Sequence, residues 1–177
     1  VLAGIAAAVR EGAAAQGGVT RWDDPRFWPT EADSATRIQL LGMGNAATLR
    51  FWRRTDDGLQ SLGGHIGGEW FGGSMYLWRR LVTRFRDDFP VASAEFWAHA
   101  DRDAFLAVFA DDTGASPLGE GADDRVANLV DLGTRLLADW EGSFERVCTA
   151  ADGSLVRFLA LSGGFRAFDD PLFKKAP

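Results

Sequence analysis

The pattern of apolar and polar positions is clearest in the second half of the chain. Between Asp123 and Trp140, apolar residues recur at three- and four-residue spacings. This spacing places them on one face of a helix, so the segment predicts a long amphipathic helix. The same criterion predicts further helices from Ser74, as N-cap, to about Asp88, from Ser93, from Asp101 to Ala110, after Ser143, and after Ser154.

The first half has a more mixed pattern. Residues 1–16 are rich in alanine and predict a helix that ends at Gly17. Two apolar runs, Arg37–Gly42 and Ala47–Arg53, predict strands joined by a turn at Gly44-Asn45. The stretch GGHIGGEWFGG, residues 63–73, is interpreted as a glycine-rich loop. The pattern as a whole therefore predicts a mainly α protein with a small β element, folded as one domain over residues 1–177.

Composition narrows the classes of function. The chain has 177 residues, of which 46% are apolar and 25% charged, as in an ordinary globular domain. A net charge of −6 argues against nonspecific binding of nucleic acid, which requires a basic surface. A small nucleoside or nucleotide remains possible, because one local basic spot is enough to bind it. No apolar run reaches membrane length, so no membrane partner is expected.

Cysteine and histidine are scarce. The single Cys148 excludes an internal disulfide framework and suits a reducing, cytoplasmic setting. His65 and His99 are the only histidines, and neither a CxxC nor an HExxH motif occurs. We therefore expect no metal site and no cofactor.

Two stretches are candidates for chemistry. The glycine-rich segment precedes a helix, where backbone N–H groups can bind phosphate, but it lacks the spacing of both nucleotide-binding fingerprints. A connecting loop is the favoured interpretation. The pair Asp169-Asp170 lies among aromatic and aliphatic residues in FRAFDDPLFKK. An apolar setting raises the pKa of a carboxyl unless a cation such as Lys174 or Lys175 offsets it, and this combination is typical of a tuned acid or base.

A series of segments between about residues 70 and 177 resembles a known family. The segments are FPVAS at 89–93, FLAVFADDTGASPLGEGADDRVANLVDLGTRL at 105–136, EGSFERV at 141–147, FRAFDD at 165–170 and LFKKAP at 172–177. In this order and spacing they resemble the queuosine salvage proteins, nucleosidases related in fold to the helix-hairpin-helix DNA glycosylases. The resemblance implies a helical DNA-glycosylase-like domain. The sequence lacks the C-terminal extension of the family. A further segment or a partner chain is therefore expected to complete the site.

The resemblance also implies an activity. Members hydrolyse an N-glycosidic bond and release a 7-deazaguanine-type base from a nucleoside or its 5′-phosphate. The closing aspartate of the family falls on Asp170, which the resemblance identifies as the catalytic residue, with Lys174 as a contact to sugar, phosphate or Asp170. The other positions assigned to substrate binding are Asn45, Phe51, Trp52, Phe165 and Phe168.

Two alternatives remain open at the level of sequence. A noncatalytic nucleoside-binding or interaction module is favoured by the altered strand segment, where Asn45 and Thr48 stand in place of an Asp and an Asn of the family. A DNA glycosylase is disfavoured by the acidic net charge and by the lack of a recognisable helix-hairpin-helix glycine motif beside the acid pair.

Overall fold

The structure, a computed structural model, describes residues 24–169. This part of the chain is mainly α with a small β element, as the sequence predicts, and the predicted helix over residues 1–16 lies outside it. Its helices are α1 Ser34–Ala46, α2 Ser74–Arg86, α3 Ala94–Ala98, α4 Arg102–Val108, α5 Ala122–Asp139, α6 Phe144–Ala150 and α7 Leu155–Ser162, followed by a 3-10 turn at Arg166–Phe168. Its strands are β1 Trp52–Thr55, β2 Gly58–Ser61, β3 Gly63–Ile66 and β4 Glu69–Gly72.

The predicted strand at Arg37–Gly42 is wrong, because these residues belong to α1. The side chain of Asp33 caps this helix by accepting a hydrogen bond from the Thr36 N–H at 2.7 Å. Gly42 and Gly44 lower helix propensity, but large rings lie directly over both positions. An added Cβ would come within 2.8 Å of the Phe144 ring at Gly42 and 2.3 Å of the Trp78 ring at Gly44. Tertiary packing therefore explains both glycines.

The interpretation of residues 63–73 as a loop is also wrong. Strands β3 and β4 form an antiparallel hairpin in which His65 pairs with Trp70. Gly67 and Gly68 make its turn with φ angles of 64° and 79°, a conformation that glycine adopts at little cost. The carboxylate of Asp112 accepts hydrogen bonds from both glycine N–H groups, at 3.1 and 2.8 Å. The segment is thus an ordered hairpin held by a distant acid.

The predicted strand at Ala47–Arg53 begins later than expected. Only Trp52 and Arg53 of that segment belong to β1, which pairs with β2 in a second antiparallel hairpin. The strand residues of this hairpin are mostly exposed on both faces. Residues 47–51 instead form a connection from α1 to the hairpin.

Helix α5 is the central element of the core. Its buried residues include Leu129, Leu132 and Leu136, and α3 packs across it at Gly133. A Cβ at Gly133 would lie 2.6 Å from both the Ala94 carbonyl oxygen and the Ala98 nitrogen. The two helices therefore touch backbone to backbone at this point.

Arg125, in the first turns of α5, is fully buried. Burial lowers the pKa of its guanidinium, which lies over the Phe51 ring at 5.7 Å from the ring centroid. Its N–H groups donate to backbone carbonyls on two connections, those of Ala47, Leu49, Arg50, Leu118 and Glu120. The side chain thereby fixes the connection after α1 against the start of α5.

Candidate functional site

Two cavities lie on either side of the 3-10 turn that follows α7. One has a mainly apolar lining and a volume of about 480 Å³, and the other is lined by charged side chains and measures about 550 Å³. Thr48 and Ala167 line both cavities. The two spaces are therefore adjacent and share a wall at these residues.

The apolar cavity is formed by three helices and the turn. Its lining comes from the last turns of α1, the first residue of α6, the last turns of α7 and the 3-10 turn. The residues are Leu41, Gly42, Asn45, Thr48, Phe144, Phe158, Leu159, Ser162, Gly163, Ala167 and Phe168. The absence of a side chain at Gly42 lets the Phe144 ring approach α1 and form part of this wall.

Four phenylalanines meet beside this cavity. The ring centroid of Phe144 lies 6.0 Å from that of Phe168, 6.2 Å from Phe165 and 6.3 Å from Phe158. The Phe144–Phe158 pair is edge-on, an arrangement that aromatic pairs favour, and the other two pairs are tilted at 54° and 48°. Phe144, Phe158 and Phe168 line the cavity, whereas Phe165 is 2% exposed and packs behind them in the core.

The polar cavity is built on one face of α5. Asp124, Asn128, Asp131 and Arg135 recur at spacings of four, three and four residues, so they lie along a single stripe of the helix. Within the stripe, Arg135 Nε donates to Asp131 Oδ1 at 2.9 Å. Asp169, which directly follows the 3-10 turn, also lines this cavity.

Arg166 attaches the turn to the same face of α5. Its backbone N–H donates to Asp131 Oδ2 at 2.7 Å. Its guanidinium donates to Asn128 Oδ1 at 3.1 Å and to Asp124 Oδ1 at 3.3 Å. These three bonds fix the 3-10 turn against α5 directly before Asp169.

The structure brings together some of the predicted site residues. Asn45 and Phe168 line the apolar cavity, and Phe165 packs behind it. Asp169 lines the polar cavity. Asp170 and Lys174 lie outside the described residues.

The two remaining predicted residues lie at a different place. Trp52 is 58% exposed and lines a small depression of about 50 Å³ beside Arg125. Phe51 packs under the Arg125 guanidinium. Neither residue lines the two larger cavities.

Sequence reasoning missed most of the polar cavity. The i, i+4, i+7, i+11 spacing of polar residues on α5 was a usable signal, because it predicts a polar stripe on an otherwise apolar helix. Arg166 had no such signal, since its partners lie about 40 positions earlier in the chain.

Within residues 24–169, no cluster of three or more His, Cys, Asp or Glu side chains is placed to hold a metal ion. No helix in the same range combines the length and apolar character that a bilayer crossing requires. No family model matches the chain, and a search of curated proteins finds no significant relative.

Proposed function

We propose that this protein is a nucleoside N-glycosidase, a divergent relative of the queuosine salvage proteins with a helical DNA-glycosylase-like fold. The observation that carries the proposal is the pairing of an aromatic cavity with a carboxylate-lined cavity, which share a wall at Thr48 and Ala167. Both volumes fall in the range of about 300–1,000 Å³ that small-molecule sites occupy. A flat base fits the first cavity and a sugar fits the second.

The substrate under this proposal is a 7-deazaguanine-type nucleoside or its 5′-phosphate. The resemblance to the salvage proteins suggests this class, and the aromatic wall of Phe144, Phe158 and Phe168 supports a planar ring. Stacking on such side chains is worth about 1–3 kcal/mol per base. The reaction needs no cofactor, and the single cysteine is compatible with a cytoplasmic setting.

Cleavage of an N-glycosidic bond passes through an oxocarbenium-like sugar. A carboxylate near the anomeric carbon stabilises that positive charge and deprotonates the attacking water. We assign this role to Asp170, which follows a residue of the polar cavity, Asp169, directly in the chain. Lys174 is assigned to the sugar, the phosphate or Asp170.

Asp170→Asn tests this assignment with the smallest change of shape. We expect it to lower the rate of base release by about 10²–10⁴-fold, the usual contribution of a general base. Base release from 7-deazaguanosine, guanosine and their 5′-phosphates is followed by chromatography and mass spectrometry.

Asp139→Asn is the matched control, because it makes the same change at an exposed carboxylate that lines neither cavity. It should leave the rate within a few-fold of the wild type. If Asp170→Asn kept full activity while the fold was intact, the catalytic assignment would be rejected.

A second candidate is a noncatalytic nucleoside-binding module on the same fold. The ion pairs of the polar cavity favour it, because Asp131 and Asp124 are already engaged by Arg135 and Arg166. Oxygen atoms that already accept N–H groups from these arginines have fewer lone pairs left for a catalytic water. Saturable nucleoside binding without any released base on prolonged incubation would establish this alternative.

A further inference from the structure

Three large apolar side chains of the two β-hairpins are exposed. Trp52 of β1 is 58% exposed, Leu59 of β2 is 74% exposed and Trp70 of β4 is 54% exposed. None of the three lines either of the larger cavities. Single exposed apolar residues are ordinary in folded proteins, whereas several on one continuous face indicate a binding surface. The pairing of the strands decides between these two cases.

Trp52 and Leu59 lie on the same face of the β1–β2 hairpin. Trp52 pairs directly with Ser61, and Arg54 pairs directly with Leu59. Opposite residues of an antiparallel pair share a face, and so do residues two positions apart on one strand. These four side chains therefore lie together on one face of the hairpin.

Trp70 of the second hairpin extends this face. Its indole lies over the Gly63–Gly72 pair, because a Cβ added at Gly72 would meet the Trp70 ring and one added at Gly63 would lie 2.9 Å from it. The same Cβ position at Gly72 is 3.0 Å from Ser61 Oγ. Since Ser61 stands directly opposite Trp52, the two indoles lie on either side of its hydroxyl. The exposed rings thus belong to one surface.

This surface carries arginines that are not neutralised. Arg54 lies on it, and Arg50 is exposed two positions before Trp52 and lines the small depression together with Trp52. Within residues 24–169, neither guanidinium forms an ion pair or a hydrogen bond. An anionic partner is therefore favoured over a neutral or cationic one.

Acids border the surface at two places. Asp56 and Asp57 form the turn of the first hairpin, between Arg54 and Leu59, and Glu120 lines the small depression. A bilayer that takes up Leu59 would have to accept the turn carboxylates as well, and an anionic membrane repels them. A flexible strand can contact the indoles and the arginines while the turn stays in solvent. The position of the turn acids therefore favours a strand over a membrane.

We propose that the indole surface, formed by Arg50, Trp52, Arg54, Leu59, Ser61 and Trp70, binds a short single strand of nucleic acid. Bases stack on the two indoles, and phosphates contact the two arginines, which is how single strands are bound without sequence preference. Neither contact involves the 2′-hydroxyl, so DNA and RNA strands should bind alike. The inference goes beyond the proposed function and is independent of it, since neither indole lines a larger cavity.

Fluorescence anisotropy with labelled single strands of about twelve deoxythymidines or uridines tests the proposal on the full chain. We expect both strands to bind saturably, with a Kd of about 10–100 µM at about 50 mM salt. Two phosphate contacts predict a slope of about −1.4 for log K against log salt, so binding should weaken about sevenfold at about 200 mM salt.

A duplex of the same length is the matched ligand control. Its bases are already stacked on one another, so it should bind at least about tenfold more weakly than either single strand. The absence of saturable binding to both single strands, or equal affinity for strand and duplex, would overturn the proposal.

Substitutions on the two faces of the hairpin locate the binding. Trp52→Ala should weaken strand binding by about tenfold, a typical loss for one stacked base, and Trp52→Phe should restore part of it. Arg54→Gln should weaken binding by about fivefold and reduce the salt slope by about 0.7.

Arg53→Gln is the matched control, because it makes the same change at the next residue, on the opposite face. There Arg53 Nε donates to Gln60 Oε1 at 2.8 Å. This variant should change the affinity by less than about twofold. Equal losses for Arg53→Gln and Arg54→Gln would mean that the attraction is not confined to the indole surface, and would reject it as the binding site.

Co-sedimentation with vesicles of phosphatidylcholine and phosphatidylserine tests the competing partner. We expect the protein to remain in the supernatant. Vesicle binding that is lost in Trp52→Ala and Trp70→Ala, without any binding of single strands, would assign the indole surface to membranes and overturn the proposal.

Discussion

Arg125 shows how one side chain fixes the connections beside the candidate site. Its buried guanidinium binds five backbone carbonyls from residues 47–50 and 118–120, and no carboxylate is hydrogen-bonded to it within the described residues. Buried carbonyls that lose their donors cost about 1–3 kcal/mol each when water does not replace the bond.

Arg125→Met should therefore lower the free energy of unfolding by about 3 kcal/mol or more, as for other buried polar networks that lose one member. Methionine fills much of the same volume but donates no hydrogen bond. Urea denaturation followed by tryptophan fluorescence measures the change.

Arg135→Met is the control, because it makes the same change on the same helix at a half-exposed side chain. It should cost less than about 1 kcal/mol, as exposed ion pairs usually do. Equal losses for the two variants would mean that the carbonyl bonds of Arg125 add little to stability.

At the scale of elements, the helices of the second half were predictable because their periodicity and their caps agree. Ser93, Asp101 and Ser154 all cap helices through their side chains, as the sequence indicates. The helix predicted from Ser74 is also present, although Gly73 takes the cap position. Local signals suffice for the helices that begin after Ser93, Asp101 and Ser154, because the residue that caps each helix precedes it directly in the sequence.

Helix α1 and the β3–β4 hairpin were not predictable in the same way. The glycines of α1 are explained by the rings of Phe144 and Trp78, which come from later segments. The glycines of the hairpin suggested a loop, although a Gly-Gly turn between His-Ile and Glu-Trp-Phe is itself a hairpin signal. In α1, glycines required by tertiary contacts concealed the helix, whereas the turn glycines of the hairpin have open space around them and are themselves a local signal.

The crossing of α3 and α5 gives a prediction at this scale. Gly133→Ala should destabilise the protein by about 1–3 kcal/mol, because the added methyl meets backbone atoms of α3 that have no rotamer to change. This loss exceeds the gain of about 1 kcal/mol in helix propensity. The midpoint of thermal or urea unfolding measures it.

Thr134→Ala provides the comparison, since the next residue of α5 is exposed. It should leave stability unchanged or raise it by a few tenths of a kcal/mol. A stable Gly133→Ala variant would show that the two helices can separate slightly at no cost.

At the scale of the whole molecule, charge sets the expected partners. A chain of net charge −6 has no general attraction for phosphate backbones. We expect no saturable binding to a labelled 20-base-pair duplex at about 10 µM protein and 50 mM salt, where nonspecific binders associate. Salt-sensitive binding in a fluorescence anisotropy assay would contradict this and favour a DNA glycosylase.

At this scale, tertiary packing determines which residues of the candidate site lie together. The stripe on α5 can be read from spacing alone. The apolar cavity cannot be read from spacing, because its aromatic residues come from three different elements. Phe144 begins α6, Phe158 lies within α7, and Phe168 ends the 3-10 turn. Their meeting depends on the packing of α6, α7 and the turn against α1, which no periodicity records.

Gly42 makes the shape of the apolar cavity adjustable by a single substitution. A single missing Cβ lets the Phe144 ring form the wall of the apolar cavity, so the size of the cavity depends on one hydrogen atom of the backbone. Gly42→Ala would displace the ring. Under the proposed function, a ligand reshaped to the altered wall should bind Gly42→Ala more tightly than the unaltered protein, and a binding assay with both proteins measures this difference.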